Sequence, residues 1–247
     1  MTKHFLYILT LTLLISCGQN NNQQQEQTQG NPTSDSLAVV NDPKNNLNIQ
    51  TNSFSEIDSS GVLMFPLSMG ETEREGGSLS YKEMPNNGYW NIIFYNSKTQ
   101  EYHLLSERKM VIGNYDYKYG SGDNDNISQT INHIFYTVRA DDFNKDKKLT
   151  DQDPQYLFIS DKFGNNFRQI SPTNYNLNNW KFIKSSNKVI MTVGKDSDKN
   201  IKFDNSDEIT TFEIELDKGT EAKEVFADGF KNKLKILFDR DWKRIKK

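Results

Sequence analysis

Ile134-Phe135-Tyr136-Thr137-Val138 and Val189-Ile190-Met191-Thr192-Val193 lie 55 positions apart and are two versions of one segment. Each is a short run of β-branched, aromatic and other apolar side chains, too short to bury a helix, and reads as a strand. Outward from each comes an acidic loop and then a second strand. These are Gln155-Tyr156-Leu157-Phe158-Ile159-Ser160-Asp161 and Thr210-Thr211-Phe212-Glu213-Ile214-Glu215-Leu216-Asp217. After a turn follows a third strand, Asn166-Phe167-Arg168-Gln169-Ile170 in one copy and Ala222-Lys223-Glu224-Val225-Phe226 in the other. A short strand ahead of each unit, Trp180-Lys181-Phe182-Ile183 in the last, completes a sheet of four. Self-similarity at this period predicts stacked sheet units, each too small to bury its apolar face alone.

A third copy lies upstream in weaker register: Gly61-Val62-Leu63-Met64-Phe65, then Trp90-Asn91-Ile92-Ile93-Phe94-Tyr95-Asn96, then Glu101-Tyr102-His103-Leu104-Leu105. Its connecting loop, 68–88, carries Glu71, Glu73, Glu75 and Glu83 without ligand-like spacing. The chain has 15 Phe, 11 Tyr and 3 Trp, and no long stretch with helical periodicity, so the body at 59–230 is predicted to be all-β.

The segment Phe158-Ile159-Ser160-Asp161-Lys162-Phe163-Gly164-Asn165-Asn166-Phe167-Arg168-Gln169-Ile170-Ser171-Pro172 resembles the repeat of TolB-type β-propellers. In that family a strand ending in Asp, a Gly turn and a strand ending near Thr/Ser-Pro recur in every blade. The resemblance implies about three antiparallel, blade-like sheets. Complete propellers typically have four to eight blades, so the domain is expected to be incomplete, compact, or closed by a second copy or another envelope protein. The basic C-terminus, 231–247, is read as a strand or tail, and as a basic strand or short helix it could touch anionic headgroups. Lys233-Leu234-Lys235-Ile236-Leu237-Phe238 alternates like a strand, and Leu234, Ile236, Phe238 and Trp242 are expected to pack inward.

The amino terminus gives an address. Lys3 and His4 precede an apolar run, Phe5–Ile15, that is too short to span a bilayer but suits the core of a signal peptide, 1–16. It ends in Leu14-Ile15-Ser16-Cys17-Gly18, which resembles the lipobox of bacterial lipoproteins. That resemblance implies cleavage before Cys17 and lipid on its thiol and new amino group. Cys17 is the chain's only cysteine, so the mature protein could form no internal disulfide. Residues 17–58 are Asn/Gln-rich and polar, the composition of a disordered tether. Within them Asp35-Ser36-Leu37 resembles the O-glycan acceptor of Bacteroidota, with Ser36 as the modified residue. Together these features resemble a Bacteroidota outer-membrane lipoprotein. No acidic pair closely follows Cys17, which favours the periplasmic face over the cell surface.

The acidic loops carry the sharpest chemistry. Loop one is Asp142-Phe143-Asn144-Lys145-Asp146-Lys147-Lys148-Leu149-Thr150-Asp151-Gln152-Asp153. Loop two is Asp196-Ser197-Asp198-Lys199-Asn200-Ile201-Lys202-Phe203-Asp204-Asn205-Ser206-Asp207. Both place side-chain oxygens at the first, third, fifth and twelfth positions, and both resemble the calcium loop of EF-hand and dockerin proteins. Alternate residues of a coiled loop point inward, so Asp142, Asn144 and Asp146, or Asp196, Asp198 and Asn200, would face one centre. Lys148 and Lys202 would offer their backbone carbonyls, Asp153 and Asp207 a carboxylate from the far side. Hard oxygen donors without His or Cys select calcium over zinc or copper. The sixth position, usually Gly, is Lys147 or Ile201, and the twelfth is Asp where Glu is usual. Nearby lysines oppose the approach of a cation. The alternative is a solvated, charged hairpin tip.

Other signals exclude more than they suggest. Removing residues 1–16 removes one charged residue, Lys3, and takes the formal charge from −3 to −4. Nothing in that balance recruits nucleic acid. His103 and His133 read as ordinary sheet residues, and Gly120-Ser121-Gly122-Asp123-Asn124-Asp125-Asn126 as a loop. No Gly-x-Ser-x-Gly elbow, His-Glu-x-x-His or phosphate-cradling loop is present. The expected function is a non-enzymatic, lipid-anchored binding or assembly module of the cell envelope with structural calcium. Its partners would be the membrane, through its lipid, and an envelope protein or glycan. The alternative is an envelope hydrolase of glycan or peptide, which needs carboxylates converging in a cleft.

Overall fold

Twelve strands and one helix follow one another in a computed structural model that describes residues 51, 53–68, 88–116, 132–218 and 221–242. The strands fall into three successive antiparallel meanders of four. The first is β1 (Ser55–Ile57), β2 (Val62–Ser68), β3 (Tyr89–Asn96) and β4 (Tyr102–Leu104). The second is β5 (Val111–Asp116), β6 (His133–Arg139), β7 (Tyr156–Asp161) and β8 (Arg168–Gln169). The third is β9 (Tyr175–Ile183), β10 (Lys188–Lys195), β11 (Glu208–Glu215) and β12 (Lys223–Glu224). A single pairing, Tyr89 with Ile112, joins the first two meanders into one eight-stranded sheet. The fold is all-β, with open antiparallel sheets, as the repeat predicts.

Two cores explain the order of the strands. Alternate residues of a strand face opposite sides of the sheet. Ile134, Tyr136 and Val138 of β6, with Tyr156 and Phe158 of β7, join Met64, Ile92 and Phe94 of the first meander in one core. The intervening Phe135, Leu157 and Ile159 join Leu177, Phe182, Val189 and Met191 of the third meander in the other. The middle sheet is therefore buried on both faces, which is why its strands are continuous apolar runs. Strand β10 buries Val189, Met191 and Val193 but leaves Ile190 and Thr192 only half-buried. It packs on one face.

The turn between β7 and β8 accounts for the Asp-Gly-Ser-Pro pattern. Asp161 Oδ1 accepts the Phe163 and Asn165 N–H groups at 2.8 and 2.9 Å, closing the turn. Gly164 has φ +83°, and a Cβ there would lie 2.4 Å from the Phe94 ring, so the turn presses its backbone onto the first meander. Buried Ser171 accepts the Leu157 N–H at 2.9 Å and closes the end of the third strand.

Two boundaries need correction. The tether does not run to residue 58, because β1 pairs with β2 and Ile57 is buried in the first core. The C-terminal strand is not formed: Asp228–Asp241 is a helix, α1. The alternation in Lys233–Phe238 is local. Over a longer window Phe226, Phe230, Leu234, Leu237 and Phe238 recur every three or four residues, the helical period. Asp228 lies in the first turn and Arg240 in the last, each favourable to the helix dipole. Lys231 pairs with Glu224 at 2.8 Å and Asp228 at 3.0 Å, fixing the start of α1 to β12. None of its residues is buried, so Leu234, Ile236 and Phe238 do not pack inward, and neither does Trp242 just beyond it. Cys17, Ser36, the four glutamates of 68–88 and the loop at 120–126 lie outside the described residues.

Candidate metal-binding loops

Loop one joins β6 to β7 and loop two joins β10 to β11, the same place in successive meanders. Their hydrogen bonds correspond pair by pair with a shift of 54 residues. In loop one Asp142 accepts the N–H of Asp146 on Oδ1 at 3.0 Å and of Lys147 on Oδ2 at 2.8 Å. In loop two Asp196 accepts those of Asn200 and Ile201, both at 3.0 Å. Asn144 and Asp198 each accept the N–H two residues on, and so do Asp146 and Asn200. The closing carboxylates match as well. Asp153 accepts from Phe143 and Thr150, Asp207 from Ser197 and Asp204. These bonds tie the first, third, fifth and twelfth side chains to the backbone of each loop.

The turns force positive φ at the fourth and sixth positions: +61° and +68° at Lys145 and Lys147, +62° and +64° at Lys199 and Ile201. Left-handed backbone costs a side chain with a Cβ about 1–2 kcal/mol, and a β-branched one most. The two loops adopt the glycine conformation without glycine.

In loop two the carboxylates of Asp196, Asp198 and Asp207 converge, with one oxygen from each within 4.8 Å of the others. Such a group could hold a metal ion. Like charges this close repel one another, and a shared cation would offset that repulsion. The carboxylate oxygens accept N–H bonds but have two lone pairs each, so coordinating capacity remains. The Asn200 amide donates to Asp198 at 3.0 Å, and its own oxygen accepts the Lys202 N–H. Beside the group, the Ser206 hydroxyl and N–H hold the Asp204 carboxyl below its usual pKa range. Loop one also has three carboxylates at these positions, Asp142, Asp146 and Asp153, with Asn144 at the third, but among the described residues the three-carboxylate convergence is found in loop two and not in loop one.

Loop one is the better anchored. Leu149 and Asp153 are buried, whereas the equivalent Phe203 and Asp207 are only half-buried. Arg139 of β6 donates from Nε to the Asp153 carbonyl at 3.3 Å. Burial lowers the Arg139 pKa, with Asp151 and Asp153 opposing that shift. The loops also meet: the Phe143 and Phe203 rings are 5.0 Å apart. Beside this contact Asp151, Asp153, Asn176, Lys202 and Asp204 line an open cleft of about 380 Å³. Sequence reasoning missed the meeting of the loops, although an aromatic follows the first ligand position of loop one. His103 stacks on Phe94 at 5.5 Å, and His133 Nδ1 lies 3.2 Å from the Ser160 carbonyl, so both have sheet partners as read. No helix among the described residues is long and apolar enough to cross a membrane. No protein-family model, curated protein or solved structure matches the chain.

Proposed function

We propose that this protein is a lipid-anchored binding or assembly module of the bacterial envelope, with structural calcium in its hairpin loops. The observation that carries the metal reading is the 54-residue correspondence of the loop hydrogen bonds together with the convergence of Asp196, Asp198 and Asp207. Asp142, Asn144, Asp146, the Lys148 carbonyl and Asp153 would hold one ion. Asp196, Asp198, Asn200, the Lys202 carbonyl and Asp207 would hold the other. An all-oxygen donor set suits calcium. The ion would neutralise the crowded carboxylates and fix the tips of the two hairpins against each other through Phe143 and Phe203.

The three meanders stacked through two cores support the reading of blade-like sheets in a compact, incomplete propeller-like stack. Cys17 would carry the lipid, residues before β1 would act as the tether, with Ser36 as a glycan acceptor, and the loops would face an envelope protein or glycan. The outer membrane is the proposed site, at its periplasmic face.

Thermal melts of the protein in 10 mM calcium and in chelator test the metal. If each site binds at about 10⁻⁴ M, that concentration adds ~2.7 kcal/mol per site. For a domain this size the midpoint then rises by about 5–10 °C for one site. Asp196→Asn with Asp207→Asn should reduce the rise, and magnesium should give less of it. Equal midpoints in calcium and chelator would remove the metal.

A further inference from the structure

Helix α1 contributes to neither core, and Phe230, Leu234, Leu237 and Phe238 are 48, 49, 36 and 53 % exposed. At 100° per residue these four share one face, which Asp241 joins at the helix end, and Phe226, just ahead of the helix, places its ring 5.7 Å from that of Phe230. Lys233, Lys235 and Arg240 flank that face or lie opposite it, and Ile236 is the apolar residue off it. A fourteen-residue helix is marginal in water without packing, and this one presents its apolar face to solvent. Something else must cover it.

Charge selects the cover. Eight basic and two acidic residues lie between Lys231 and Lys247, a formal +6 in a chain whose total is −3. Four of these basic residues lie beyond α1, at 243–247, and α1 itself carries four basic and three acidic residues, so it is the basic C-terminal segment as a whole that repels a second copy and favours an anionic surface. Lysine stems beside an apolar face can lie along it while their ammonium groups reach the headgroups. Trp242, 70 % exposed at the end of α1, has the amphipathic ring favoured at a bilayer interface. We propose that α1 lies flat in the headgroup layer of an anionic membrane, its Phe230–Leu234–Leu237–Phe238 face towards the acyl chains. The contact is independent of the metal and of the lipid on Cys17. It would draw the sheet body down to a surface that a long tether alone leaves it free to quit.

The test uses the full chain carrying Cys17→Ser, so that no lipid is attached. The apolar run Phe5–Ile15 is common to all variants, and only differences between variants are read. Partition is measured on vesicles of phosphatidylcholine alone or mixed with phosphatidylglycerol, with Trp242 emission as a second readout. The parent should bind the mixed vesicles at least about tenfold more tightly than the neutral ones, as electrostatic attraction to anionic lipid requires. Combined substitution of Phe230, Leu234 and Leu237 by Ser should remove most of that binding. Lys233→Glu with Lys235→Glu should remove its preference for anionic lipid. A blue shift on binding should be lost in Trp242→Phe. Because α1 has no buried residue, the melting midpoint of the Ser variant should match the parent, separating lost binding from lost fold. Equal partition of parent and Ser variant, or no preference for anionic vesicles, would overturn the proposal. So would a dimer in sedimentation that the Ser substitutions abolish while vesicle binding is absent, since α1 would then serve self-association.

Discussion

The β6–β7 and β10–β11 hairpins hold loops built on the same hydrogen-bond plan, but they stand in different surroundings. The first belongs to the middle meander and buries both faces, feeding one core with Tyr136 and Phe158 and the other with Phe135 and Leu157. The second belongs to the last meander and buries one face, so that Ile209 at the start of β11 is 67 % exposed. Loop one is pinned by buried Leu149 and Asp153, while loop two rests on the Phe143–Phe203 contact. Local chemistry made the loops alike. Position in the stack made one a rigid support and the other an exposed tip, and the exposed tip carries the three converging acids.

Core truncation should separate the hairpins most. Phe135 is fully buried, stacks on Trp180 at 4.5 Å and packs against Phe182 at 6.4 Å. Phe135→Ala should cost about 3–5 kcal/mol in urea denaturation. The half-buried Phe212 on β11 should cost roughly half as much when truncated, as its smaller burial implies. Equal losses would mean that the third meander is as deeply buried as the second.

The closing carboxylates give the next contrast. Asp153 is 2 % exposed and accepts two backbone N–H groups, so Asp153→Ala strands both donors in a buried site. Its cost in chelator should be about 2–4 kcal/mol, against ~1 kcal/mol for Asp207→Ala at the exposed tip. Adding calcium should widen the deficit of each variant relative to the parent.

A smaller contrast is alkaline sensitivity, carried by the first hairpin. Burial raises the Tyr136 pKa well above its usual value, even though its hydroxyl bonds Ser160 at 2.8 Å. Burial also pushes Tyr156 up to about 12, with the Asp141 charge adding to the shift. The folded state keeps these phenols protonated where the unfolded chain would ionise them. Stability is therefore fully present below pH ~10 and declines above it by about 1.4 kcal/mol per pH unit for Tyr136 alone. Tyr136→Phe should flatten the alkaline limb of stability against pH, while changes on β10 and β11 should leave it unaltered.

The smallest effect is a gain. Ile201→Gly should relieve the left-handed strain at the sixth position of loop two and stabilise the protein by about 1 kcal/mol. Lys147→Gly should yield less, because its side chain is not β-branched. Chemical denaturation of the two variants checks the order.

Much of this was legible beforehand because the signals are local. β6, β7, β10 and β11 announce themselves as short apolar runs bounded by polar turns, and the loop ligands follow a fixed spacing that backbone geometry makes meaningful. The helix was not legible from Lys233–Phe238, where a six-residue window fits both periods. Its face emerges only when Phe226 and Phe230 are included. β1 was missed because its three residues sit at the edge of polar sequence, and only pairing with Val62–Met64 makes Ser55–Ile57 a strand. The Phe143–Phe203 contact joins two loops 60 positions apart, a distance that no local pattern encodes.

What the sequence determined by itself is a set of periodicities and spacings: strands, turns, and two twelve-residue loops alike in their oxygen positions. Those follow from steric and hydrogen-bonding limits that act over a few residues. Tertiary structure decided which strands would be covered on both faces, which loop would be braced, and that an apolar helix would be left outside both cores. Such outcomes depend on how much apolar surface each sheet finds opposite it, a quantity set by the whole chain.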